Sequence, residues 1–114
     1  MKKIKIAPSI LSADFGRLNE EIKSVEKYSD ILHVDIMDGH FVPNLTFGAP
    51  VVKWIKTKLP INCHLMVNNP ESLIESFVKA GATTITVHQE ATDHLHRLIQ
   101  NIKSFGVRAG VSIN

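Results

Sequence analysis

Ile4-Lys5-Ile6-Ala7-Pro8-Ser9-Ile10-Leu11-Ser12-Ala13-Asp14, residues 4–14, is an apolar, β-branched run that passes directly into a segment of helical pattern. Two parallel α/β architectures begin in this way. A doubly wound nucleotide-binding sheet would place a glycine pair at the junction, because its first turn brings backbone N–H groups against a pyrophosphate. The junction here reads Ile10-Leu11-Ser12-Ala13-Asp14, with no glycine. The alternative, a closed barrel of parallel strands, is therefore the expected architecture.

The rest of the chain repeats the unit. Runs of β-branched and apolar residues recur at Ile31 to Met37, Ile61 to Val67, Thr83 to His88 and Val107 to Ile113, and each reads as a strand. Helical stripes alternate with them: Leu18, Ile22 and Val25; Leu73, Ile74, Phe77 and Val78; Leu95, Leu98, Ile99 and Ile102. A further helix is placed near Gly48 to Lys58. Asn69 and Asp93 have the chemistry of helix N-caps, Pro70 suits a first turn, and Gly81 and Gly106 suit the residue after a helix end. Ser12 and Asp14 compete as caps for the first helix. Strand-helix order repeated four times and followed by a fifth strand implies right-handed βαβ units in one parallel sheet. The expected fold class is α/β, a (β/α)8 TIM barrel, with residues 1–114 forming the N-terminal half of a single barrel domain.

Composition narrows the class of function. Of 114 residues, 44% are hydrophobic and 21% charged, the balance of a globular chain rather than a disordered one. The formal charge of +2 is dispersed, with Lys2, Lys3, Lys23, Lys53, Lys56 and Lys58 interleaved with acids, so no basic face for nucleic acid is expected. The single cysteine, Cys63, forms no internal disulfide. No apolar run approaches the roughly 20 residues that span a bilayer, and no signal-peptide pattern is seen, so a cytoplasmic location is expected.

The polar residues inside the strands carry the chemistry. In Ile31-Leu32-His33-Val34-Asp35-Ile36-Met37-Asp38, alternate side chains share a face, so His33, Asp35 and Met37 point one way while Leu32, Val34 and Ile36 point the other. The next strand repeats the pattern with His64 and Met66 opposite Cys63, Leu65 and Val67. An imidazole beside a carboxylate in a barrel interior is costly to bury unless it is paired or holds a cation. Two imidazoles with one or two carboxylates suit Zn2+, Fe2+, Mn2+ or Co2+. Cys63 has the wrong parity for this set and reads as a small hydrophobe between sheet and helix.

Each of these residues also has a plainer reading. A lone strand histidine is usually structural, and methionines usually fill gaps. Convergence decides between the readings: Ser9, His33, Asp35, His64 and His88 all fall at or near the C-terminal ends of successive strands, where barrel enzymes build their sites. Met37 and Met66 lie one step beyond the ligand-type residues and suit an apolar wall over a reacting carbon. His40, His94 and His96 fall in a loop or at the start of the last helix and receive no functional weight.

Three segments together resemble the ribulose-phosphate 3-epimerase family: Ala7-Pro8-Ser9-Ile10-Leu11-Ser12-Ala13-Asp14-Phe15, then His33 through Asn44 with the core His33-Val34-Asp35-Ile36-Met37-Asp38-Gly39, and Cys63-His64-Leu65-Met66-Val67. The resemblance implies one divalent metal ion held by His33, Asp35 and His64. It implies Asp35 as acid/base and Ser9 as a hydrogen-bonding partner of substrate, with His64 also in reach of it and His88 in the pocket. The implied reaction interconverts D-ribulose 5-phosphate and D-xylulose 5-phosphate, a step of the pentose phosphate pathway, by metal-assisted proton transfer at C3 through an enediolate. The implied partner is a small-molecule ketose phosphate, with no nucleic acid, no membrane and assembly as a homo-oligomer.

Family members bring a second catalytic aspartate, a third methionine and phosphate-binding loops from strands that follow. Residues 1–114 on their own are therefore expected to be inactive. A hexulose 6-phosphate epimerase, acting for instance on allulose 6-phosphate, fits the same residues, and so does a noncatalytic half-barrel fragment that self-associates. A related decarboxylase would carry DxKxxD, whereas Asp35 is followed by Ile36-Met37-Asp38 and no lysine occurs until Lys53.

Overall fold

The computed structural model describes residues 1–114. Four parallel strands, β1 (Leu32–Met37), β2 (Ile61–Met66), β3 (Thr84–His88) and β4 (Arg108–Ser112), pair in sequence order. Between them run α2 (Ala49–Val52), α3 (Ile74–Lys79) and α4 (Leu95–Ser104), while α1 (Leu18–Glu26) precedes β1. The sheet without strand crossing, with one helix per connection, is the α/β order of a partial (β/α)8 barrel.

One expectation is corrected. The segment Ile4 to Ile10 is not a fifth regular strand: it lies parallel to β1 and forms a single bridge, Ser9 with His33. The amides of Asp30 and Ile31 donate to Ile6 O, His33 N donates to Pro8 O and Ile10 N donates to His33 O. The ladder fails for two local reasons. Pro8 has no N–H to donate, which confines it to an edge, and Ile6 N is taken by the Asp30 carboxylate at 2.9 Å. Its outer side is unpaired, leaving Ile4 and Ile6 exposed.

Strand parity sorts the side chains as expected. Leu32, Val34, Ile36, Cys63, Leu65, Val67, Ile85 and Val87 are buried on one face against Ile22, Val52, Ile74, Phe77, Leu98 and Ile102 from the helices. Fully burying each such aliphatic or aromatic side chain stabilises by roughly 1.5–3 kcal/mol, so this layer holds the sheet to its helices. Cys63 is part of it, and burial pushes its thiol up to about 12. It packs as an inert hydrophobe.

Several helix ends follow the sequence signals. Gly81 and Gly106 take φ of 111° and 81° after α3 and α4, a left-handed conformation that costs glycine least. Asp14, rather than Ser12, accepts from Gly16 N at 2.9 Å and caps a short 3-10 turn, Phe15–Arg17, ahead of α1. Asp93 caps nothing: α4 begins one residue later than expected, with His94 at its N-cap position and no side-chain cap bond, and Thr92 Oγ1 accepts from His94 N at 3.0 Å in the turn before it. The helix expected near Gly48 to Lys58 is reduced to the single turn of α2. No helix is long and apolar enough to cross a membrane.

Candidate active and metal site

The opposite face of the strands gathers the polar residues. In the β1–β2 register Asp35 is the partner of His64, and Met37 the partner of Met66, so side chains far apart in sequence stand side by side. Asp35 Oδ1 lies 3.1 Å from His33 Nε2 and 3.4 Å from His64 Nδ1. One donor atom from each of His33, Asp35 and His64 falls within 4.8 Å of the others. The remaining oxygen, Asp35 Oδ2, accepts a hydrogen bond from the Ser9 hydroxyl, whose oxygen in turn accepts from Leu11 N at 3.1 Å. The single bridge between Ser9 and His33 thus has a consequence beyond the sheet edge: it delivers a hydroxyl to the carboxylate.

Two imidazole nitrogens and one carboxylate oxygen form a donor set of borderline character, suited to the divalent ions of the first transition row and leaving coordination positions open for a second molecule. The protonation of His64 agrees with that role. Burial holds its pKa below the ordinary histidine value, the neighbouring His88 and His33 add to the effect, and Asp35 opposes it only in part. A neutral imidazole is the form that ligates a metal. The residues present therefore fit a divalent cation.

His88 stands behind His64. The two rings are nearly parallel, with centroids 4.9 Å apart and an interplanar angle of 16°, and meet edge to edge with Nε2 of one 2.8 Å from Nε2 of the other. Phe41 packs on the far side of His88 at 5.0 Å between centroids. Met66 is buried and Met37 half-buried, two residues beyond His64 and Asp35 on their strands and partners of each other in the β1–β2 register. His40, His94 and His96 are exposed and take no part.

Sequence reasoning missed two organisers of the loop that follows β1. Asp38 Oδ1 accepts from His40 N and Phe41 N at 2.8 and 2.9 Å, and its Oδ2 accepts from Asn68 N at 2.8 Å, tying the ends of β1 and β2 together. Burial tends to raise its pKa, but these three N–H donors prevail and hold the carboxyl below the ordinary aspartate value. The Asp38-Gly39 pair, with Gly39 at φ 73°, was the available signal, since such pairs favour side-chain-capped turns. Thr46 carried no such signal. Its hydroxyl donates to Asp35 O and accepts from Met37 N, both at 3.0 Å, folding the loop back along the end of β1.

The largest cavity, of about 660 Å³, lies beside the loop after β1, with Met37, Thr46, Phe47, Val67 and Phe77 among its walls and none of the imidazoles nor Asp35 among them. The His33, Asp35 and His64 cluster is on the open interior face, half-buried.

The chain matches the model of the "Ribulose-phosphate 3 epimerase family" over residues 5–114. It is 55% identical over 114 residues to the ribulose-phosphate 3-epimerase of Bacillus subtilis (strain 168), covering 97% of this chain and 52% of that protein. It is 50% identical over 115 residues to the ribulose-phosphate 3-epimerase of Treponema pallidum (strain Nichols), covering 98% and 53%. Against the chloroplastic ribulose-5-phosphate-3-epimerase of Arabidopsis thaliana the identity is 49% over 116 residues, covering 97% and 41%. The chain spans about half the length of the curated relatives it matches. With a parallel sheet that sets His33, Asp35 and His64 together and a family match along nearly its whole length, the chain belongs to the ribulose-phosphate 3-epimerase family.

Proposed function

We propose that the complete protein carrying this chain interconverts D-ribulose 5-phosphate and D-xylulose 5-phosphate, with residues 1–114 contributing the N-terminal half of one barrel. The observation that carries this reading is the juxtaposition of His33, Asp35 and His64 on the face of two adjacent parallel strands that is turned away from the helices. Epimerisation at C3 removes a weakly acidic proton beside the C2 ketone and returns one to the opposite face of the resulting enediolate. A divalent cation held by His33, Asp35 and His64 supplies positive charge that favours the enediolate over the neutral ketone.

The protein's own groups then have distinct tasks. Asp35 Oδ1 faces the two imidazoles, so Oδ2 is the oxygen left to take the C3 proton. Ser9 holds Oδ2 in the resting protein, and its hydroxyl turns to a substrate oxygen once Asp35 is protonated. Met37 and Met66 cover the reacting carbon and exclude water, and His88 backs the pocket through His64. Asp35 serves one face only. The opposite-face acid and the phosphate site are assigned to the remainder of the barrel, which would pair along the open edges at residues 4–10 and β4, and these residues assayed alone should show no turnover.

The test is a coupled assay on the complete protein, with metal removed by a chelator and then restored. Activity toward ribulose 5-phosphate that is lost on chelation and regained with Zn2+, Fe2+, Mn2+ or Co2+ supports the proposal, and a preference for allulose 6-phosphate would redirect it to the hexulose enzyme. His33→Ala and His64→Ala should each lower metal content in elemental analysis. Full occupancy in both would end the assignment.

A further inference from the structure

A row of four side chains runs inward from the surface: Glu90, His88, His64, Asp35. Glu90 Oε1 lies 3.6 Å from His88 Nδ1, the two Nε2 atoms are 2.8 Å apart, and His64 Nδ1 is 3.4 Å from Asp35 Oδ1. His88 is 7% exposed, and its Nδ1 is buried without a hydrogen-bond partner. The Glu90 carboxylate faces it from just beyond hydrogen-bond range, on an exposed side chain free to close the gap by a small rotation. The other Glu90 oxygen accepts from Asn114 N at 2.7 Å.

Two neutral imidazoles joined nitrogen to nitrogen share one proton across the contact, so their protonation sites are tied together. Only two arrangements exist. In one, His64 carries its proton on Nδ1 toward Asp35, His88 donates from Nε2, and His88 Nδ1 presents a bare lone pair to the Glu90 carboxylate. In the other, His88 donates from Nδ1 to Glu90, His64 donates from Nε2 to His88, and His64 Nδ1 is left with a free lone pair. Passing from the first to the second takes a proton from His64 Nδ1, moves the shared proton across to His64 Nε2 and adds one at His88 Nδ1. Neither ring changes its net charge.

We propose that Glu90 is a positioning residue for the cation site, drawing the His88 proton to Nδ1 and thereby leaving His64 Nδ1 unprotonated as a ligand. The proposal rests on the cation-site reading above. It assigns work to a residue that touches neither the cation nor substrate, and it explains why a buried imidazole has its orphan nitrogen aimed at a carboxylate. Carboxylates behind metal-bound histidines fix the tautomer and raise ligand basicity in this manner, and their loss typically weakens metal binding about 10- to 100-fold.

The complete protein, labelled with nitrogen-15 in its histidines, is measured by long-range proton–nitrogen NMR without metal and with Zn2+, and Zn2+ affinity is measured by competition with a chelator. Zn2+-loaded protein should carry its protons on His64 Nε2 and His88 Nδ1. Glu90→Leu should raise the Kd for Zn2+ about 10- to 100-fold, with the Tm of the metal-free protein little changed, and Glu90→Gln, which keeps a carbonyl acceptor, should recover part of the loss. Protonation of His88 at Nε2 in the loaded protein, or an unchanged Kd in Glu90→Leu, would overturn the role of Glu90 while leaving the cation site standing. Failure of the unmodified protein to bind Zn2+ or any of the other three ions would overturn both.

Discussion

The two faces of the same strands meet different neighbours. Toward the helices, β1 to β3 present Leu32, Val34, Ile36, Cys63, Leu65, Ile85 and Val87, all buried and all without a polar group that needs a partner. Toward the interior the same strands present His33, Asp35, Asn62, His64, Thr86 and His88, hydrogen-bonded in the pairs His33–Asp35, Asn62–Thr86 and His64–His88 and still half-open apart from His88. Stability and chemistry are thus separated by a single step in register. A change on one face should move the melting temperature with little effect on chemistry, and a change on the other should do the reverse.

The largest effect should come from Asp35→Asn, which preserves shape on the interior face while removing the proposed base. Exchange of the C3 proton of the ketose phosphate with deuterated solvent should slow about 10²- to 10⁴-fold in the complete protein. Exchange at the original rate would show that Asp35 is not the base. On the helix face, Phe77→Ala leaves a hole against the sheet at a fully buried position, and unfolding in denaturant should report a loss of about 3–5 kcal/mol. A much smaller loss would mean that the outer layer collapses around the gap and that the separation of the faces is less sharp.

Gly110 tests the interior face as a packed surface. A Cβ there would sit 2.5 Å from Thr86 Oγ1, the hydroxyl that donates to Asn62 Oδ1 at 3.2 Å. Gly110→Ala should therefore cost about 1–3 kcal/mol through overpacking, and Thr86→Ala in the same background, which removes the crowding hydroxyl, should restore part of it. No rescue would place the strain in the backbone of β4 rather than at Thr86.

The smallest expected effect is one of pH, at the rim where the faces meet. Three backbone N–H donors hold the Asp38 carboxyl below its ordinary value against the opposing effect of burial. Its folded pKa being depressed, Asp38 stabilises the protein fully above the unfolded value of about 3.9 and loses that contribution as pH falls from there through the folded value. The difference in Tm between the unmodified protein and Asp38→Asn should shrink across that acidic window. A difference constant with pH would assign the effect to loop geometry alone.

The alternation in residues 31–37 and 61–67 already separates Leu32, Val34 and Ile36 from His33, Asp35 and Met37, and puts Cys63 on the opposite face from His64. These are period-2 facts of the extended chain and need no partner strand. The repeated strand-helix order likewise implies a parallel sheet before any coordinates exist. Less was legible where a local signal competes with a distant one. Residues 4–10 have strand composition, yet Pro8 and the Asp30 carboxylate interrupt the ladder. Asp93 has cap chemistry, yet α4 starts one residue later, with His94 at the N-cap position and no side-chain cap bond.

What the sequence by itself determined was which residue types could hold a cation and on which side of each strand they lie, because parity is a property of the backbone alone. Only the tertiary structure decided that Asp35 is level with His64, that Ser9 reaches Asp35, and that His88 connects His64 toward Glu90. Register between strands is chosen by the helices packing across the sheet and by the loops that close each unit. The pairs Ser9–Asp35, Asp35–His64 and His64–His88 join residues more than 20 positions apart, and no local spacing encodes them.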